Sequence, residues 1–321
     1  LWTGRRGLPN PRGLGYYRSA FPPEIDRQPK RSGRHRTMKL NFPSQTITFP
    51  RRALLMGIVN INDDSFCGDG SLDPGTSLQQ ARAHYQNGAD IIDIGAESAR
   101  TNRKAISIDE EISRLRCFIE QWHTIRDLEP KDNEQLSPAL LSVNTWRPEV
   151  VEQILGPEVD LLNDMSALPD NRNALLCAKH QISLLIMHSV GRPKIPHTHQ
   201  KWRGLIKSMV NFFEEKTAIA IEAGLSREQI ILDPGIDFAK QKEDNLLLLR
   251  KLNQLIDLGF PLLLPISRKT VIGEALDIED PRKRDAGTLA LLAHGVHRGA
   301  HLFRVHNTEA CWQALKVLSA L

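Results

Sequence analysis

Asp233 closes the run Ile230-Ile231-Leu232, three bulky apolar residues without a polar partner, and directly precedes the breaker Pro234-Gly235. A short apolar run stopped by turn residues reads as a buried parallel strand, with the chain turning just after the carboxylate. A carboxylate at the carboxyl end of such a strand stands where parallel α/β folds place their ligand sites. Other residues repeat this grammar. Asn60 offers an amide carbonyl oxygen, a hard ligand suited to Mg2+, which binds through few protein groups plus waters and a substrate phosphate. Arg304 and His306 are alternate residues and so share one side of a strand. A guanidinium and an imidazole together suit a phosphate or diphosphate. Asp233 and Asn163 can hold a flat heterocycle that carries both N–H donors and carbonyl acceptors, and Lys269 adds a movable cation. The combination describes a heteroaromatic substrate with a phosphorylated arm.

These residues need elements that converge on one place. Eight strand candidates run along the chain: Leu54–Val59 ending at Asn60, Asp90–Ile94 at Gly95, Leu140–Val143 at Asn144, and Val159–Leu162 at Asn163-Asp164. Ile182–Met187 ends at His188, the opening run at Asp233, Leu262–Ile266 at Ser267, and His301–Val305 at His306. Segments such as Ser77–Gly88, Asp109–Trp122, Leu205–Ala223 and Ala286–Gly299 carry helical spacing between them. Eight β-then-α units in about 270 residues have the size and rhythm of a (β/α)8 barrel, a TIM barrel. A doubly wound sheet is the runner-up, but no GxGxxG follows the first strand. Pro265 lies inside the seventh candidate and predicts a bulge there, because proline removes a ladder donor. The polar stretch Asp127–Pro138 reads as a surface insertion. On a barrel the strand-end residues Asn60, Glu97, Asn144, Asn163, His188, Asp233, Ser267, Arg268, Lys269, Arg304 and His306 all fall on the active-site face.

The chain has 321 residues, 40% of them hydrophobic, with a net charge of +4. That charge is unevenly placed. Residues 1–37 hold eight Arg and one Lys against Glu24 and Asp26, a local excess of +7, so the remaining 284 residues sum to −3. This Arg-, Pro- and Gly-rich tail has no apolar periodicity and reads as disordered, leaving residues 38–321 as the barrel. The first methionine is Met38, and translated leader is the preferred reading of the tail, over a transit peptide or a nucleic-acid arm. The body has no bias towards nucleic acid, and no apolar run approaches the ~18 residues of a membrane span. Four cysteines without a CxxC pair indicate neither a zinc site nor a disulfide framework, and a reducing cytoplasm is the expected home. His197 and His199 read as a solvated loop for want of a third ligand in register.

Several motifs together resemble one family. Met56-Gly57-Ile58-Val59-Asn60, Asp64-Ser65-Phe66 with Asp69-Gly70, Gly95-Ala96-Glu97-Ser98 with Arg100, Asn163-Asp164 and Met187-His188 occur in order. Asp233-Pro234-Gly235 with Phe238 and Lys240, Ser267-Arg268-Lys269, and Arg304-Val305-His306 complete the set, which is similar to the dihydropteroate synthases over residues 54–321. The resemblance implies condensation of 4-aminobenzoate with 7,8-dihydropterin-6-ylmethyl diphosphate. It also implies that Asp233, Asn163 and Lys269 hold the pterin, with Asn144 and Met187 in the same pocket and Arg304 stacked on the ring. Arg304, His306 and Asn60 with Mg2+ would hold the diphosphate. Asp64 would face a pterin-methyl cation, Arg100 would join the catalytic set, and Phe238, Lys269 and Ser267 would wall the aminobenzoate pocket. A homodimer is expected on the same ground.

The chain departs from the family pattern in places. Ile61-Asn62-Asp63 lacks the usual proline, Ala99-Arg100-Thr101-Asn102 replaces Thr-Arg-Pro-Gly, and Asn144 replaces a pterin-facing carboxylate. Ile236-Asp237-Phe238-Ala239 replaces a glycine-rich run, and Cys67 stands in place of the usual serine. Most of the pterin and diphosphate residues are kept while the aminobenzoate-facing loops have drifted. A working synthase with an altered pocket is the first reading. A divergent pterin-binding paralogue without synthase activity is the second. A pterin-dependent methyltransferase is set aside, because Ser267-Arg268-Lys269 and Arg304-Val305-His306 point to a diphosphate substrate.

Overall fold

Alternation of apolar side chains builds the wall of the molecule. The computed structural model describes residues 37–321 except Asp64, Phe66, residues 99–103, Arg192, Pro196 and Thr198, and these residues form one compact unit. In chain order the strands are β1 (Met38–Asn41), β2 (Thr46–Phe49), β3 (Leu54–Asn60), β4 (Ile91–Gly95), β5 (Leu140–Asn144), β6 (Leu161–Asp164), β7 (Ser183–Met187), β8 (Ile230–Asp233), β9 (Leu263–Leu264) and β10 (Leu302–Val305). Strands β3 to β10 pair in parallel in the order β8-β7-β6-β5-β4-β3-β10-β9, and a bridge between Leu232 and Leu262 closes the ring. The helices are α1 (Pro74–Gln86), α2 (Ile108–Ile119), α3 (His123–Arg126), α4 (Pro148–Ile154), α5 (Arg172–His180), α6 (Leu205–Glu222), α7 (Lys242–Arg250), α8 (Asn253–Ile256), α9 (Thr270–Leu276), α10 (Asp285–Arg298) and α11 (Thr308–Ser319). The expected (β/α)8 barrel is therefore the observed fold.

Two cores follow from the period-2 side-chain pattern of the strands. Outward residues such as Leu55, Val59, Ile92, Ile94, Val143, Leu162, Ile186 and Phe303 pack under the helices with Phe118, Trp122, Met209 and Phe213. Inward residues Leu54, Met56, Ile91, Leu140, Leu161, Leu185, Ile231, Leu263 and Leu302 fill the barrel's lower half. Leu40, Phe42, Ile47 and Phe49 close that end from below, carried by the antiparallel β1–β2 hairpin. Ser44 donates to Asp160 (2.9 Å) and Gln45 to the carbonyl of Pro138 (2.9 Å), fastening the hairpin tip.

Three local expectations are corrected. The hairpin was not among the eight strand candidates. The stretch Asp127–Pro138 is no mere surface insertion: Gln135 donates to the carbonyls of Tyr85 and Ala89, and Leu136 enters the lower core. Pro265 causes no bulge, because β9 ends at Leu264 and leaves the proline in the cavity rim.

Candidate active site

The lower core is apolar because the strands turn polar only in their upper halves. Asp93 is fully buried inside the barrel on β4 and acts as the hub of that polar layer. Its carboxylate accepts the Ser142 hydroxyl (2.6 Å), the Asn163 side-chain amide (3.2 and 3.3 Å) and Arg304 Nε (2.7 Å). These bonds come from β5, β6 and β10, so one carboxylate gathers three strands. The Asn163 amide nitrogen is thereby committed, and its buried Oδ1 has no hydrogen-bond partner among the described residues. A buried acceptor without a partner is costly unless a ligand completes it.

Above this layer opens a cavity of about 270 Å³. Asn60, Asn144, Asn163, Met187, Asp233, Phe238, Ser267, Lys269, Arg304 and His306 all line it. Ten of the twelve residues singled out from sequence are thus brought together. Asp64 and Arg100 lie outside the described residues.

Asp233 sits nine-tenths buried or more at the end of β8, with Oδ1 accepting the Gly235 amide (2.7 Å). Burial pushes its carboxyl up to about 6, against the pull of that N–H bond and of Lys269, Lys240 and Arg304. Only glycine fits at 235: its φ is +63°, and an added Cβ would lie 2.1 Å from the carbonyl oxygen of His188. Lys240 is buried below the same loop and donates to the carbonyls of His188, Gly235 and Phe238, with burial lowering its ammonium to about 7. It holds the loop's shape and does not line the cavity.

Lys269 directly precedes α9 and places its Nζ 4.8 Å from the centroid of the Phe238 ring. Burial lowers its pKa, opposed by Asp237 and Asp233. The pair is framed by Asp237, whose carboxylate accepts the Thr270 and Val271 amides (2.5 and 3.3 Å) and the Asn245 side chain (3.0 Å). Asp237 has a φ of +68°, in the left-handed region that the glycine-rich family pattern leads one to expect. It went unnoticed as a site residue, although that departure pointed to it.

On the opposite wall the Asn60 side chain donates to Asp69 Oδ1 (3.1 Å), which also accepts the Ser65 hydroxyl. His306 Nδ1 contacts Ser267 Oγ (2.9 Å), and its Nε2 lies 3.9 Å from Asp69 Oδ2. Burial lowers this imidazole to about 3, so the ring is neutral, with Nε2 as an open lone pair or N–H according to tautomer. Glu97 is tied to Arg147 (3.0 Å) and Lys194 (2.9 Å), and Arg147 also grips buried Glu111. This network clamps the loop after β4 to the loop after β7.

Other strand-end residues take different places. His188 faces away from the cavity, buried against Trp202, Phe212 and Phe213, and burial lowers its pKa to about 2. Arg268 is turned outward into a bidentate pair with Asp285. Asn144 directs its amide to Met165 Sδ (3.0 Å). The fixed carboxylate beneath the cavity is Asp93, which strand-end spacing does not single out, while Asp69 stands only within a motif.

The chain is similar to known proteins over most of its length. A family model described as "Pterin binding enzyme" matches residues 56–306. The dihydropteroate synthase of Synechocystis sp. is 38% identical over 273 residues, 84% of this chain and 91% of the relative. That of Bacillus subtilis is 33% identical, with 89% of this chain and 94% of the relative covered. The solved Xanthomonas albilineans dihydropteroate synthase with 4-aminobenzoic acid superposes with a TM-score of 0.77 at 30% identity, covering 89% of this chain and 98% of that one. The chain belongs to the pterin-binding enzyme family, among the dihydropteroate synthases.

Proposed function

We propose that this protein condenses 7,8-dihydropterin-6-ylmethyl diphosphate with 4-aminobenzoate, releasing diphosphate and forming dihydropteroate. The observation that carries the reading is the buried pair of acceptors at the cavity floor: Asp233, and Asn163 Oδ1, which has no partner among the described residues. A pterin edge bearing amino and ring N–H groups satisfies both. Lys269 supplies a donor for the ring carbonyl, and Arg304, oriented by Asp93, lies against the ring face as a cation–π partner.

The diphosphate arm then points toward His306, Ser267 and Asn60. The methylene C–O bond breaks with its electron pair passing to diphosphate. The aminobenzoate nitrogen attacks the resulting pterin-methyl cation and loses a proton. Catalysis of such a step is mainly electrostatic, through donors already aimed at the leaving group. Asp64 facing the cation and Arg100 in the catalytic set remain roles drawn from the resemblance. Phe238 and Lys269 form the wall against which the aminobenzoate would lie.

Mg2+ fits the donor set on this side. The Asn60 amide nitrogen is held by Asp69, which leaves its carbonyl oxygen for a cation, and the Asp69 carboxylate is a second hard ligand. Bound there, Mg2+ would neutralise charge on the departing diphosphate. The expected homodimer and cytoplasmic home belong to the same proposal. No helix of the described residues is long and apolar enough to cross a membrane.

The test is diphosphate release from the pterin diphosphate with Mg2+, with and without 4-aminobenzoate, assaying dihydropteroate in parallel. Release that depends on aminobenzoate, yields dihydropteroate and is lost in Lys269→Ala supports the proposal. Pterin binding without condensation product overturns it in favour of a non-synthase paralogue.

A further inference from the structure

Three kinds of metal ligand converge around His306, a residue of the cavity wall. Cys67 Sγ, an Asp69 carboxylate oxygen and a ring nitrogen of His306 all lie within 4.8 Å of one another. Two of them are oriented by a second bond, as metal ligands are. His306 Nδ1 is engaged by Ser267 Oγ at 2.9 Å, which directs Nε2 at Asp69. Asp69 Oδ1 is taken by Asn60 and Ser65, which leaves Oδ2 facing the histidine at 3.9 Å. The Cys67 amide bonds Ser65 Oγ (3.3 Å), so the same serine positions both loop residues.

We propose that Cys67, Asp69 and His306 form a site for a thiophilic divalent cation, Zn2+ foremost, with its fourth position open to the cavity. In a tetrahedral site, ligand atoms about 2.0–2.3 Å from the ion stand roughly 3.5 Å apart. The ligand atoms lie within 4.8 Å of one another and must draw in by roughly 1 Å to reach that value. The site shares Asp69 with the position proposed for magnesium, and ligand softness decides which ion takes it. Mg2+ demands oxygen ligands and leaves a thiol protonated, whereas Zn2+ displaces the thiol proton and takes sulfur with imidazole. Binding therefore releases a proton from Cys67, whose thiol is raised by burial and Asp69 and lowered by Arg268.

Zinc at this position would hold Asp69 and His306 and pin the loop to β10. It would thus inhibit the enzyme by closing the place proposed for diphosphate. That inhibition rests on the function proposed above; binding of the ion does not.

The test titrates the full chain with Zn2+ by calorimetry in the presence of excess Mg2+, and with Co2+ by absorbance. The expected result is one equivalent of Zn2+ per chain and a thiolate-to-cobalt charge-transfer band. Both should weaken at least roughly tenfold in Cys67→Ser and in His306→Gln, and persist in Cys117→Ser, whose thiol lies outside the cluster. Thermal melting of each variant confirms that it is folded. A band that survives Cys67→Ser, or Zn2+ affinity unchanged in both ligand variants, overturns the proposal. Zn2+ binding with unimpaired diphosphate release keeps the metal site and removes its inhibitory role. If the chain has no synthase activity, the metal titrations still decide the site.

Discussion

Arg304 Nε lies 2.7 Å from Asp93 Oδ2, a pairing across 211 residues of sequence inside the barrel. Asp93 is fully buried and the arginine side chain 22% exposed, so the pair is desolvated on the carboxylate side only. Removing one partner of a buried ion pair leaves an uncompensated charge, at a cost near the lower end of the usual range here, about 3 kcal/mol. Asp93→Asn also turns one acceptor into a donor facing the Asn163 amide. The expected outcome is a destabilisation of that size by denaturant titration and a loss of pterin affinity of roughly tenfold or more, read by fluorescence. Wild-type stability in the variant would show that Asp93 is not the hub of the layer.

Asp233 links stability to pH. A carboxyl whose folded pKa is raised binds its proton more tightly in the folded chain. Its contribution is complete below the unfolded value and fades as pH rises through the folded one. With a shift from 3.8 to about 6, the ionised group costs the folded chain at most about 3 kcal/mol above neutrality. Asp233→Asn, which can still accept the Gly235 amide, is expected to be more stable than the parent at pH 8 and to lose that advantage near pH 4. Pterin affinity should fall in the same variant. Denaturation midpoints of both chains across this range check the sign, since other titrations cancel in the difference. A difference that does not grow with pH refutes the linkage.

The strand-end residues were legible because an apolar run followed by Asn, Asp or Ser marks both a strand and its upper end. Parity along the strand was a further signal left unused. Met187 pairs with Asp233 and both line the cavity, so the next residue, His188, must point outward into the aromatic core. Asp93 was harder to see. It interrupts an apolar run, and its meaning depends on Ser142, Asn163 and Arg304, whose approach is a matter of barrel closure. The β1–β2 hairpin was obscured for another reason. Its strands are four residues each and follow the basic tail, although Thr46-Ile47-Thr48-Phe49 does alternate.

Asp237 joins the loop after β8 to the first turn of α9, on either side of the Phe238–Lys269 pair. Its replacement by glycine suits the φ of +68° but removes the bonds to Thr270, Val271 and Asn245. Relief of the left-handed backbone, about 1 kcal/mol, offsets part of the lost bonds at about 1 kcal/mol each. The expected net destabilisation is small, about 1–2 kcal/mol. The kinetic effect should be selective: Asp237→Gly raises the KM for 4-aminobenzoate several-fold and leaves pterin affinity near the parent value. Asp237→Asn, which keeps one acceptor, should fall between the two. Equal losses for both substrates would mean that Asp237 serves the whole barrel rather than this wall.

Phe49 separates stability from catalysis. It is 5% exposed at the base of the barrel and meets the His301 ring edge-on, with centroids 4.8 Å apart. Burial lowers the His301 pKa to about 4, and its Nδ1 accepts the Leu262 amide (3.2 Å). Truncating a buried phenylalanine costs about 3–5 kcal/mol through lost transfer energy and the cavity left behind. Phe49→Ala should therefore lower the denaturant midpoint without changing pterin affinity in the folded protein, because apolar layers stand between the hairpin and Asp93. Stability by denaturation and ligand binding well below the melting temperature are the two measurements. A variant with parent stability would mean that the hairpin rests on the barrel without completing its core. A variant with lowered stability that also binds pterin weakly when folded would mean that the barrel's base and its upper cavity are mechanically coupled.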